Sequence, residues 1–350
     1  MFVFEVGSTT LFALGIKAKQ DAWIVILVAL IIGIVFIWIY TELQKAFPDK
    51  NYVEIILSVL GKPLGIPLAL LYAVYWLWPA ARNLREFGEM IIITALPETP
   101  LKFVLFLFIL ISLYGLLKGI EVVGRTSEVI MPLITFFLIG LYIMIYISGW
   151  VELSRLKPIL GGGVKPIIKN AYPNVAIFPF GEIFIFSMYW CYCNDKTGIR
   201  KATILATVLS GILLSLSLII DVSVLGVEYA SIATIPFMEV IRMVKFGKIV
   251  TNIDAVGIAI IFLGGYYKMS LFLNGVTLVL ITVFKRLNYK ITLIFTSIFL
   301  LVVSIIFEPS YAYHQWMTPF DTIFFYTSFL HVIPTLILII YWVKKKSGRL

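Results

Sequence analysis

The sequence predicts an all-α integral membrane protein, with about ten transmembrane helices in a five-plus-five inverted repeat and helices one and six broken. Three observations point there. Of 350 residues, 61% are hydrophobic and only 13% charged, with a mean hydropathy of +1.02. A soluble domain carries about 25% charged residues, so the missing charge must be replaced by surface that faces lipid. Second, ten apolar runs occur, most of them near the roughly 20 residues that cross a hydrocarbon core as a helix. Third, two of the runs are interrupted by Gly, Pro, Ser or Thr beside a carboxylate.

The runs fall at 2–17, 21–41, 64–95, 101–117, 121–148, 173–194, 199–225, 252–284, 289–307 and 321–343. They form a single transmembrane domain over 1–350, with repeat one at 1–150 and repeat two at 170–343. Spans 64–95, 121–148 and 252–284 exceed what a perpendicular helix needs, so they tilt or protrude. Span one starts at Phe2 without a basic leader and reaches Lys17 in 16 residues. That is short for a crossing and lacks the marks of a signal peptide, so a further turn or more of that helix is expected upstream. Between spans two and three, residues 43–60 read as an amphipathic segment along the inner interface. Val53, Ile56, Leu57 and Leu60 share one face, with Lys45, Asp49, Lys50 and Glu54 elsewhere.

Basic residues orient the chain. With the N-terminus inside, fifteen Lys and Arg fall in the inner connections and the tail, among them Lys196, Arg200, Lys201 and Lys344 to Lys346. Ten fall outside, seven of them (Arg155, Lys157, Lys165, Lys169, Arg242, Lys245 and Lys248) in the two longest outer segments. Both termini are therefore expected in the cytoplasm. The net charge of +9 is the usual basic excess of inner loops, so nucleic acid is not implied as a partner.

Composition also argues against several chemistries. Two Cys (Cys191, Cys193) and two His (His314, His331) are too few for a four-ligand zinc site or an iron–sulfur cluster without help from carboxylates. No cofactor or metal is expected. Gly161-Gly162-Gly163 lacks the Lys-Ser/Thr that a phosphate loop requires. No nucleophile and base share one depth, so the chain does not read as an enzyme.

The interrupted spans carry the functional signal, because a free N–H or C=O in hydrocarbon costs several kcal/mol unless protein, water or ligand satisfies it. Span one contains Glu5-Val6-Gly7-Ser8-Thr9-Thr10; span six contains Phe178-Pro179-Phe180-Gly181-Glu182. Gly7 and Gly181 are 174 positions apart, as are Asp21 and Asp195 at the starts of spans two and seven. That is the spacing of a repeated unit, and interrupted helices at matching places in two halves point to a midplane binding site. Free N–H groups at a break suit a carboxylate, and freed carbonyls or a nearby Glu suit an ammonium or cation. A zwitterionic amino acid satisfies both. The plainer alternative is that Gly7 and Gly181 only let helices pack closely.

Charges within the membrane supply the remaining candidates. Arg82, Arg85, Glu86 and Glu89 lie within eight residues of span three. Arg82 with Glu86 and Arg85 with Glu89 are i,i+4 pairs, which either account for all four charges or serve ligand binding and gating. Lys268 follows Gly264-Gly265-Tyr266-Tyr267 in span eight and is read as a cation substitute, a partner of Glu182, or a snorkelling side chain. Glu5 and Glu182 are the proton-coupling candidates, against the alternative of neutral, hydrogen-bonded acids.

These residues resemble the B subunits of nutrient germinant receptors of endospore formers, the spore germination permease family of the amino acid-polyamine-organocation superfamily. The resembling stretches are Phe4 to Thr10, Ala18 to Trp23, Arg82 to Glu89, Leu96-Pro97-Glu98-Thr99-Pro100, Gly119-Ile120-Glu121, Pro179 to Glu182 and Pro236 to Arg242. The resemblance covers nearly the whole chain. It implies a multi-pass protein of the spore inner membrane that assembles with an A subunit and a lipoprotein C subunit and binds a small nutrient, usually an amino acid, to trigger germination. It places the ligand between Gly7, Ser8, Thr9 and Thr10 and Pro179, Phe180, Gly181 and Glu182, with spans three and eight as side walls. The alternative reading is a secondary permease, a proton- or sodium-coupled amino acid transporter, since both functions need the same pocket.

Overall fold

The computed structural model describes residues 1–243, 254–307 and 311–348, so Lys245, Lys248 and Arg349 lie outside the described residues. Among those described there is no strand. Eight helical stretches are long and apolar enough to cross a membrane: Ile16–Ala46, Tyr52–Thr94, Ile120–Ile147, Val164–Met188, Ile199–Ile232, Asp254–Val283, Tyr289–Ile306 and Trp316–Lys346. A ninth, Leu101–Leu117, has 17 residues. The remaining run of the ten is the interrupted first one, where α1 (Phe2–Thr9) gives way to turns and then to a 3-10 segment at Ile16–Asp21. The chain is thus a multi-pass helical membrane protein.

The other helices are α2 (Ala22–Ala46), α3 (Tyr52–Thr94), α4 (Leu101–Leu117), α5 (Ile120–Ile147), α6 (Val164–Asn170), α7 (Ile199–Ile232), α8 (Pro236–Met243), α9 (Asp254–Val283), α10 (Tyr289–Ile306), α11 (Tyr311–Phe320) and α12 (Ile333–Lys346). Two compact units result, each drawing on both halves of the sequence. The first comprises Met1–Ile34, Gly124–Phe180 and Leu205–Gly264; the second comprises Val35–Val123, Gly181–Ile204 and Gly265–Leu350.

In the first unit, Ala22, Val25, Ile26, Ala29 and Leu30 repeat at i, i+3, i+4, i+7 and i+8 and so line one face of α2. That face packs on Ile167, Ala171, Val175, Ala176 and Phe180 and on Leu214 and Leu218 of α7. Burying apolar side chains drives little association in lipid, where tails are as apolar as leucine, so close packing of small residues must do the work. Gly33 shows it: a Cβ there would lie 2.7 Å from the Phe180 side chain. α7 itself breaks at Gly226, whose φ of 76° is open to glycine and costly for other residues. The carbonyls released there are taken by the connection after α5: the Glu152 N–H donates to Ser223 (3.0 Å) and the Arg155 guanidinium to Val224.

The second unit has an aromatic core. Tyr40, Tyr52 and Phe184 pack at ring distances of 4.6 to 4.7 Å, and Tyr75 stacks on Phe329 at 4.8 Å. The hydroxyls matter as much as the rings. Residues Asp321–Val332 form a π-helical stretch, and a widened helix leaves carbonyls off the regular ladder. Two of them accept from buried tyrosines: Phe329 from Tyr72 and Leu330 from Tyr40, both at 2.8 Å. Tyr72 spends its proton there, so Tyr52 donates to Tyr72 at 3.0 Å.

Polarity in α10 is turned inside out. Thr292, Thr296, Ser297 and Ser304 are buried, and Ile291, Phe295, Ile298, Val302 and Ile306 are exposed to the lipid side. α3 breaks at Gly61 (φ 74°), which separates the expected amphipathic segment from the span. That segment starts at Tyr52, not at Leu43, because Asn51 and Glu54 form a reciprocal capping box. Its buried stripe is Tyr52, Val53, Ile55, Ile56 and Val59, with Leu57 and Leu60 only half-buried.

The 174-residue spacing recurs as two different contacts. The Asp21 carboxylate accepts from the Leu160 N–H (2.9 Å), whereas Asp195 accepts from the Thr197 N–H and hydroxyl and the Gly198 N–H ahead of α7. These bonds hold the Asp195 carboxyl below its usual range.

Two outcomes follow. Tyr72→Phe strands the Phe329 carbonyl in an apolar core and should cost about 1–3 kcal/mol in thermal unfolding in detergent, more than Tyr52→Phe, which leaves that bond in place. Because the folded Asp195 binds its proton less tightly than the unfolded chain, its contribution is present above about pH 4 and is lost as pH falls through the lowered value. The Tm gap between wild type and Asp195→Ala should therefore close on acidification, and a constant gap would show that the carboxylate charge is not involved.

Candidate functional site

The candidate residues divide between the two units. Glu5, Gly7, Ser8, Thr9, Thr10, Pro179 and Phe180 belong to the first; Gly181, Glu182, Arg82, Arg85, Glu86, Glu89 and Lys268 belong to the second.

In the first unit span one is interrupted at the end of its Gly-Ser-Thr-Thr run. Residues 2–9 remain helical, and the chain leaves the helix at Thr10. The Thr10 N–H makes the last i,i−4 bond of α1, to the Val6 carbonyl (3.3 Å), which the Thr10 hydroxyl also reaches (3.1 Å), and the Phe12 N–H then reaches the Thr9 carbonyl in a tighter turn at 3.2 Å. Gly7 is not an unwound residue. A Cβ on it would lie 2.8 Å from the Gly264 Cα, so it serves the close approach of α1 to α9. Glu5 and Thr10 are buried, and Thr9 is 1% exposed with a hydroxyl that finds no hydrogen-bond partner among the described residues. The Ser8 backbone lies in α1, and its side chain is outside the described set.

The second interruption stands where the sequence puts it. Phe178 is extended (φ −115°, ψ 113°) between the π-helical stretch Ala171–Phe180 and the 3-10 stretch Gly181–Met188. α1 packs against the first of these stretches, and Phe12, just past the end of α1, meets Phe178 edge-on at 6.3 Å. Within one unit, both helix interruptions therefore lie side by side.

The second unit gathers the charges. Glu182 forms an ion pair with Lys268 at 2.6 Å, with side chains 5% and 0% exposed. Arg82 and Glu86 act electrostatically on the same carboxylate. The Tyr75 hydroxyl lies within electrostatic reach of Glu182 and is fully buried with no hydrogen-bond partner among the described residues. Of the two i,i+4 pairs read from the sequence, Arg85 with Glu89 is present at 2.6 Å. Arg82 reaches across to Asp321 and, at 2.8 Å, to Thr318, while the Trp78 indole N–H donates to Asp321 at 3.1 Å. Sequence spacing does not reveal Asp321 as that partner, because it lies 239 positions from Arg82. Its only sequence signal is a carboxylate opening an apolar run. Lys268 does not snorkel; it is enclosed by protein.

Helices interrupted within the membrane also occur in secondary transporters. The fold is similar to that of a Na+-coupled sialic acid symporter solved in a substrate-bound, outward-open state. The TM-score is 0.59, covering 97% of this chain and 78% of that one at 15% identity. Within that fold, residues 1–312 match the family described as spore germination protein, and the chain belongs to this family. It is 29% identical over 316 residues to spore germination protein KB of Bacillus subtilis (strain 168), covering 90% of this chain and 84% of that protein. It is 23% identical over 332 residues to spore germination protein XB of Bacillus anthracis, covering 94% and 91%.

Breaking the buried pair tests its weight. Glu182→Gln or Lys268→Met alone leaves one charge without its counter-charge and should destabilise the protein by about 3–5 kcal/mol in detergent. The double variant should lose clearly less than the two single losses added together. Simple additivity would show that the pair is not coupled.

Proposed function

We propose that this chain is the membrane subunit of a nutrient germinant receptor, which binds a small zwitterion of the amino acid class and passes the bound state on as a shift in conformation. Membership of the spore germination family and the transporter fold support this reading. The observation that carries the site is Thr9, a buried hydroxyl without a hydrogen-bond partner among the described residues, at the place where α1 stops and the Phe178 break lies alongside. A buried donor left unmade costs about 1–3 kcal/mol, and a ligand carboxylate or ammonium beside it removes that cost. Thr10, Pro179 and Phe180 complete the surround. Gly181 and Glu182 continue the chain into the Lys268 pair, whose rearrangement couples occupancy to the rest of the protein. In this reading an A subunit and a lipoprotein C subunit receive the signal at the spore inner membrane, with both termini of the chain in the cytoplasm.

The second reading is a proton- or sodium-coupled amino acid transporter, favoured by the fold shared with a Na+-coupled symporter. Sensor and transporter both need a ligand-dependent shift, but only a transporter must return empty.

Binding of a panel of radiolabelled amino acids to the purified chain tests the site. Thr9→Val keeps the shape and removes the hydroxyl, and should weaken the best ligand by roughly 5- to 150-fold; unchanged affinity would refute the placement. Gly7 is the poorer probe, since any side chain there collides with α9 whether or not a ligand is present. Accumulation of label in proteoliposomes driven by a pH or sodium gradient would favour the transporter.

A further inference from the structure

Asp221 lies in α7, is 0% exposed, and neither of its carboxylate oxygens has a hydrogen-bond partner among the described residues. Its surroundings are built, not incidental. One turn earlier the Ser217 hydroxyl shares a 2.5 Å hydrogen bond with the Tyr142 hydroxyl of α5, which also reaches the Leu213 carbonyl at 3.2 Å. The Tyr142 ring packs edge-on against Phe237 of α8 at 5.9 Å. Tyr142 is a titratable group within electrostatic reach of Asp221. The nearby charged groups on the α5–α6 connection are already committed: Arg155 is bonded to Glu152 (2.8 and 3.0 Å) and to the Val224 carbonyl.

An ionised carboxylate without hydrogen bonds inside the membrane is too costly to persist, and the group must take up a proton or a cation. A bound metal ion needs several oxygen ligands, whereas the Ser217 hydroxyl one turn away is engaged with Tyr142 of α5 and the Ser223 hydroxyl with the Ile220 carbonyl. We propose that Asp221 is a proton-binding site of the first unit, distinct from the site at the end of α1, holding its proton in this conformation and releasing it only when water reaches the α7 segment ahead of Gly226. The capped break, five residues further on, is the place where such opening begins. Protons are then a second ligand of this protein, and their binding is linked to the conformation of α7.

An apolar carbodiimide, which reacts with protonated carboxyls in membranes, tests this on the full chain in liposomes with peptide mapping. The expected result is an adduct on Asp221 at neutral pH, falling about tenfold for each pH unit beyond the titration point and indifferent to sodium or potassium at fixed pH. Protection by sodium would overturn the proposal in favour of a metal-cation site. So would no adduct on Asp221 at any pH in a sample where another buried carboxyl is labelled. Infrared spectra of the unlabelled chain give an independent reading: a protonated-acid carbonyl band at neutral pH that is missing in Asp221→Asn, or in Asp221→Ala should the first variant not fold. Identical spectra would refute the assignment.

Discussion

Every part of this protein depends on one constraint: within hydrocarbon, a backbone N–H or C=O that leaves the helical ladder must find another partner. Most of the chain meets it with uninterrupted helix. Where the helix fails, the structure shows who takes the freed group. The Phe12 N–H takes the Thr9 carbonyl at the end of α1, Glu152 and Arg155 take the carbonyls ahead of Gly226, and Tyr40 and Tyr72 take those of the π-helical stretch before α12. The aromatic core of the second unit is therefore also a polar scaffold, since its tyrosines fill space and close the hydrogen-bond inventory together.

The same constraint separates breaks whose polar groups are answered by protein from one where a polar side chain is left over. At Gly226 and in the π-helical stretch the freed carbonyls are answered by protein side chains or by a neighbouring connection, so these breaks are complete by themselves. At the end of α1 the account is left open by the buried Thr9 hydroxyl. In the proposed site a small polar ligand bonds to this group, replacing hydrogen bonds that water cannot supply there.

Charge follows a parallel logic. Arg82 with Asp321, Arg85 with Glu89 and Lys268 with Glu182 are paired in the second unit, and pairing lets ionised groups persist at low dielectric only while both partners stay in place. Such pairs hold one arrangement and resist intermediate ones. A conformational shift must then exchange partners or admit water, which is why the proposed function gives this cluster the coupling role.

The spans were legible from sequence because hydropathy is a local property: 101–117 and 289–307 agree with α4 and α10 to within a residue. The Arg85–Glu89 pair was legible for the same reason, since both residues ride one helix. The Pro-Gly break at Phe178 was marked by residue types that cannot continue a helix. Only tertiary structure decided that Gly7 packs against Gly264, that Arg82 finds Asp321, and that Lys268 turns inward to Glu182. Each of these depends on which distant segments share a depth and a face, and one-dimensional spacing contains no information on that. Asp221 lies in the run 199–225 but drew no argument from the sequence, because its lack of a hydrogen-bond partner among the described residues is a property of its neighbours, and those are set by packing.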